Sequence, residues 1–213
     1  MEDLFALAAH ARASLPLDAL AVLTALAIVP FLAVMTTSFV RIVVVLSLVR
    51  SAIGSQTVPP NAVLTGLALV LTVLVMTPTM NAIARDAIAP YGHGKLSQSA
   101  FVARAVAPLR EFMLRQAHAK DLALFARVAK RPKSELGVLI PAFVVGELRS
   151  AFAIGVALYL PFLAIDLAVA AILMSLGMMM LSPPIVSLPL KLLLFVTVDG
   201  WALVCAGVTA SFR

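Results

Sequence analysis

No ionisable residue lies between Asp18 and Arg41, and none between Arg50 and Arg85. Each gap is longer than the ~20 apolar residues a helix needs to cross hydrocarbon, so each predicts a spanning helix. Gly54-Ser55-Gln56 followed by Pro59-Pro60-Asn61 lies between them. That is a turn signal, and it makes the pair a helical hairpin. Two less simple apolar runs follow. Residues 136–165 contain Glu147 and Arg149, and residues 167–212 contain Lys191 and Asp199 and are broken by Pro183, Pro184 and Pro189. Pro30, Pro78, Pro141 and Pro161 also lie in apolar runs, where each removes a backbone donor and ends or kinks a helix. Carbonyls freed in lipid need protein or cavity water as partners, so the pattern predicts a packed assembly rather than independent rods.

The stretch between the two hairpins has a different periodicity. Phe101, Val102, Ala105, Val106, Leu109, Phe112 and Met113 recur at three- and four-residue steps, as do Leu122, Phe125, Ala126 and Ala129. These are amphipathic helices. Arg104, Arg110, Arg115, Lys120, Arg127, Lys130 and Arg131 occupy much of the remaining surface, which reads as a solvated face, with a membrane surface or a partner as the alternatives. The outline is therefore an all-α membrane protein. An N-terminal segment (1–16) precedes a first apolar hairpin (17–84), a basic amphipathic segment (85–135) and a second hairpin with a Met-rich break (136–213).

Composition agrees with this outline. The chain is 62% hydrophobic and 12% charged, against roughly 45–50% and 25% in soluble domains. With a mean hydropathy of +1.09, a globule of this size lacks the polar surface to cover itself in water. Residues 85–135 hold ten of the Lys and Arg and four of the Asp and Glu, so this segment carries the whole net charge of +6. The basic balance has no stacking aromatics or reading motif beside it, so nucleic acid is not an expected partner. Cys205 stands alone, which excludes an internal disulfide. His10, His93 and His118 lie far apart without metal-ligand spacing, and neither a cofactor nor a metal is expected. Residues 1–12 are short, mixed in charge and acidic at Glu2 and Asp3, and do not read as a cleavable signal.

The expensive residues are the charges within apolar runs. Glu147, Arg149, Asp166, Lys191 and Asp199 should be paired or wet, because an ionised group at the bilayer centre costs at least ~2.5–3.5 kcal/mol. Glu147 and Arg149 are two apart and face different ways on a helix, so each is expected to reach for another helix or another copy. For Lys191 and Asp199 an interfacial position remains the alternative. Small residues at Ala142, Gly146 and Ser150, and at Ala151 and Gly155, share a helix face and predict close packing. Met178, Met179 and Met180 sit at a break between Gly177 and Pro183. Their unbranched thioethers suit either a deformable seal or an irregular core.

The wording of several stretches resembles one family. Pro30-Phe31, Thr37-Ser38-Phe39-Val40-Arg41-Ile42, Val45-Leu46-Ser47-Leu48-Val49-Arg50 and Pro59-Pro60-Asn61 are similar to the FliP/SctR proteins of the type III secretion export gate. So are Pro108-Leu109-Arg110-Glu111-Phe112-Met113 and Lys120-Asp121-Leu122-Ala123-Leu124-Phe125, which resemble the flagellar branch in particular. Leu139-Ile140-Pro141-Ala142-Phe143, Glu147-Leu148, Pro161-Phe162-Leu163-Ala164-Ile165-Asp166, Gly177-Met178-Met179-Met180, Pro189-Leu190-Lys191 and Asp199-Gly200-Trp201 continue the likeness in order.

The resemblance implies a bacterial inner-membrane subunit that is not an enzyme. Several copies, expected to be five, would form a helical ring with FliQ-like and FliR-like subunits, and unfolded export substrates would pass through its centre. It implies a methionine gasket at Met178, Met179 and Met180, and apolar helices covered largely by neighbouring subunits. Arg41, Glu147, Arg149, Asp166, Lys191 and Asp199 are then candidate intramembrane or inter-subunit charges, with Glu147 expected to pair across a subunit boundary. Phe112 and Phe125 are candidate self-association residues. The resemblance also puts the basic segment in the periplasm, against the positive-inside rule; Arg41 and Arg50 beside the first turn would hold that turn in the cytoplasm and so reconcile the two. The injectisome equivalent is the alternative assignment. A small-molecule transporter is a more remote one, since the chain shows no self-similar halves.

Overall fold

The structure, a computed structural model, describes residues 17–55, 57–178 and 180–212. The predicted N-terminal segment 1–16 lies outside them. Among the described residues the fold is all-helical, without strands. Helix α1 (Leu17–Met35) belongs to a unit of its own and carries Pro30 inside it. The second unit begins at Thr36. It contains α2 (Phe39–Ile53), α3 (Asn61–Ile83), a π-helical turn (Ala84–Ile88), α4 (Ala89–Gly92), α5 (Gln98–Gln116), α6 (Ala119–Ala129), α7 (Leu136–Ser175), α8 (Pro183–Thr197) and α9 (Gly200–Ala210).

Helix α2 is the centre of this unit. Ile42, Val45, Leu46, Val49 and Ile53 are spaced to line one side of a helix and are all buried, and the helix packs on α3, α7, α8 and α9. Gly54, at φ 93°, ends it, and its N–H returns to the Ser51 carbonyl. Glycine is the residue that takes this left-handed cap without strain. The expected hairpin turn is therefore present between α2 and α3. A second break was not expected: the apolar run before Arg41 is divided at Thr36–Ser38, between the end of α1 and the start of α2.

Two other boundaries differ from the expected ones. The second apolar helix does not stop near Arg85 but continues through the π turn to Gly92. A turn widened to i→i+5 directly ahead of Pro90 accommodates a residue that has no N–H to donate. Helix α7 runs unbroken for 40 residues, through Pro141, Pro161 and Asp166. At 1.5 Å per residue it is about 60 Å long, twice the hydrocarbon thickness, so if it crosses upright a large part stands outside the bilayer.

By length and apolarity, Asn61–Gly92 and Leu136–Ser175 qualify as spans. Helices α1 with α2, and α8 with α9, pass the same test as pairs, the latter bent by 65°.

The basic segment forms the two amphipathic helices the periodicity predicts, α5 and α6, and both pack on α7. A second core of Met76, Phe112, Met113, Leu139 and Phe143 joins α3, α5 and α7. This corrects the expectation for Phe112. Its ring is 4% exposed, set edge-on to Phe143 and stacked with Phe212, so it is a core residue of its own chain and not a surface contact for another copy. Phe125 is partly buried on α6.

The small-residue face of α7 is used for close approach within the chain. Ala142, Gly146, Ala151 and Gly155 are buried. A Cβ on Gly146 would lie 3.1 Å from His118 Nδ1, and one on Gly155 would lie 2.3 Å from Leu48 Cδ1. Gly200 is tighter still, since its Cβ would lie 2.3 Å from two ring atoms of Phe195. Gly200→Val should therefore force the α8–α9 bend apart at an overpacking cost of ~1–3 kcal/mol. Reduced protease resistance of the detergent-solubilised chain would register it; resistance equal to the parent would show that the ring moves aside freely.

Candidate functional site: paired charges and the methionine loop

Arg41 projects from the first turn of α2 into the interior. Its Nε donates to Glu147 Oε2 at 2.8 Å and its Nη2 to Glu147 Oε1 at 2.5 Å, with the two side chains 4% and 0% exposed. Nη1 donates to the Ser211 carbonyl and hydroxyl, each at 3.0 Å, and Nη2 also reaches Gln116 Oε1 at 3.3 Å. The guanidinium carbon lies 4.0 Å from the centre of the Phe212 ring. All five guanidinium N–H donors thus have acceptors, in the bidentate geometry that suits arginine and carboxylate. The cluster ties α2, α5, α7 and the end of α9 together.

Two expectations change here. Glu147 finds its partner inside its own chain, not across a subunit boundary. Arg41 is not beside the hairpin turn either. It lies at the opposite end of α2, next to the end of α5 at Gln116, about 14 Å along the axis from Arg50. Only Arg50, whose Nη1 donates to Pro59 O and Asn61 Oδ1, is at the turn.

The remaining charges form two further groups. Lys191 Nζ lies 2.6 Å from Asp166 Oδ2, and the Ser187 hydroxyl donates to Asp166 Oδ1 at 2.6 Å. This triad spans α7 and α8, the two helices that flank the methionine break, and Lys191 is buried within the chain. Arg149 donates from both Nη atoms to Asp121, at 3.0 and 2.8 Å, joining α7 to α6. Asp121 is 2% exposed. Glu147 and Arg149 do face different neighbours, as their spacing required. Asp199 takes a left-handed conformation, φ 51° and ψ 53°, at the bend between α8 and α9. Sequence reasoning missed Asp121, Ser187, Gln116 and Ser211 as partners, since nothing local marks a residue whose partner is a distant helix.

The methionine loop begins at a glycine cap. Gly177 has φ 72°, its N–H bonds the Met174 carbonyl, and the Met178 N–H bonds the Leu173 carbonyl. That pair of bonds is a Schellman motif, and it turns the chain sharply out of α7. Met178 is 43% exposed and Met180 fully so, while Met179 lies outside the described residues. Among the described residues no cluster of His, Cys, Asp or Glu is arranged to hold a metal.

Apolar helices of spanning length, with their charges collected into internal groups, define a helical membrane protein. Comparison with known proteins makes this specific. The profile of the FliP family matches residues 22–208. The chain is 47% identical over 205 residues to a flagellar biosynthetic protein FliP of Pectobacterium carotovorum subsp. carotovorum, covering 93% of this chain and 80% of that one. It is 45% identical over 199 residues to the Bacillus subtilis (strain 168) protein of that name, covering 91% and 90%. To the Caulobacter vibrioides protein of that name it is 48% identical over 197 residues, covering 90% and 74%. The chain belongs to the FliP family.

Proposed function

We propose that this chain is a structural subunit of the flagellar protein export apparatus in the bacterial inner membrane. Several copies, five being expected, would assemble with FliQ-like and FliR-like subunits around a passage for unfolded flagellar substrates. The observation that carries this reading is the family match along nearly the whole chain, with relatives at 45–48% identity bearing the flagellar name. It favours the flagellar over the injectisome assignment. Further support comes from the apolar side chains left exposed by a single copy, including Val63, Val70, Val73 and Leu74 on α3 and Val156, Leu160 and Leu167 on α7. A surface of this kind needs lipid or neighbouring subunits to cover it. Deleting the gene in its host should abolish filament growth and swimming, with restoration by the gene in trans. Normal filaments in the deletion strain would sink the assignment.

In this reading the basic segment lies in the periplasm, on the side of the Arg41 cluster. Ser97 caps α5 at the surface and Cys205 is the only native cysteine, so Ser97→Cys gives a clean topology probe. It should react with an impermeant maleimide added outside spheroplasts. Labelling only after the inner membrane is opened would reverse the orientation.

A further inference from the structure

Beside the turn between α2 and α3 lies a cavity of about 600 Å³, lined by Ile53, Val58, Leu188, Leu192, Phe195 and Trp201 among others. A smaller cavity of about 400 Å³ adjoins it, lined by Arg50, Ser51, Gly54 and Ser55, and Ser55 faces both. Arg50 is bound on one side only. Its Nη1 holds the Pro59 carbonyl and Asn61, while its Nε is buried with no hydrogen-bond partner. Lys191 Nζ would stand 4.0 Å from a Cβ on Gly54 but is already paired with Asp166 at 2.6 Å, so Arg50 is the cation that lines the site.

We propose that these adjoining cavities form a binding site for one phospholipid, its phosphate at Arg50 and Ser55 and an acyl chain in the apolar cavity. Three observations select this occupant. Arginine with spare donors recognises phosphate oxygens by paired hydrogen bonds. The turn at the end of two long apolar helices is where a lipid headgroup sits, and Trp201 on the cavity wall has the amphipathic ring typical of that depth. The apolar cavity, at about 600 Å³, also has room for an acyl chain. Such a chain is flexible enough to follow its walls. The bound lipid would fasten the α2–α3 turn to the bent α8–α9 pair, whose junction at Asp199 and Gly200 forms part of the same wall. The inference rests on the helices being in a membrane and is independent of any role in export.

Trp201 is the only tryptophan in the chain, which makes the site directly readable. The full-length chain in maltoside micelles is titrated with phosphatidylglycerol carrying brominated acyl chains, and Trp201 fluorescence is followed. Saturable quenching is expected, with brominated diacylglycerol of the same chains quenching far less because it lacks the phosphate. Arg50→Gln should raise the lipid fraction at half-quenching about tenfold, the equivalent of one charge-assisted hydrogen bond, while Arg50→Lys keeps part of the affinity. Val196→Phe narrows the cavity from an exposed position, so it should reduce quenching without unfolding the chain. Quenching that rises without saturation, that is the same with diacylglycerol, or that is unchanged in Arg50→Gln would overturn the proposal. So would the absence of quenching, the result expected if protein fills the cavity.

Discussion

Glu147→Leu should destabilise the chain severely, because it leaves the Arg41 guanidinium in an apolar interior with only Ser211, Gln116 and the Phe212 ring for partners. Removing one member of a buried pair costs ~3–5 kcal/mol, chiefly through the charge left behind. Arg41→Leu should be as damaging, since the Glu147 carboxylate, 0% exposed, would then keep no cation. The double variant Arg41→Leu/Glu147→Leu should recover a large part of the loss, as two matched apolar residues avoid the desolvation that either single variant suffers. Protein level in membranes and resistance of the detergent-solubilised monomer to proteolysis would report these differences. Because the pair lies within one chain, monomer resistance should fall together with any ladder of oligomers on a native gel. Singles with parental resistance but a collapsed ladder would return Glu147 to a role between copies.

How far the sequence carries can be judged from the same residues. The α2–α3 turn, the two amphipathic helices and the break at Gly177 were legible because each has a local cause: a glycine cap, a 3.6-residue period, a proline pair. Arg41 was misplaced because a lone arginine in an apolar run reads as a flank of the run, and the residue that justifies its burial is 106 positions away. The continuity of α7 through Asp166 has the same origin. A carboxylate looks like a boundary until Lys191 and Ser187, on the next helix, are known to neutralise it. Phe112 shows the limit in the opposite direction. An apolar stripe on an amphipathic helix predicts that the ring is covered, but whether α7 or a second copy covers it depends on tertiary arrangement.

If Met178, Met179 and Met180 seal the proposed passage, replacing them together with alanine should leave the assembled complex intact and make cells leak ions or admit small solutes that the parent excludes. Had these side chains been core, each truncation would leave a cavity costing ~2–5 kcal/mol and the protein would disappear from the membrane. Met180 is fully exposed and Met178 is 43% exposed, so neither is a core residue of its own chain and their removal has little to destabilise there. The loop itself should keep its course, because it is set by the left-handed Gly177 and the two backbone bonds beside it. What alanine removes is flexible apolar bulk, which a closed passage for chains of every side-chain size requires and which thioethers supply better than stiff β-branched groups. Isoleucine at the same three positions separates sealing from yielding. With similar bulk but a restricted χ1, it should hold the closed state without leak while slowing export. Loss of the complex in the alanine variant without any leak would return the methionines to a packing role.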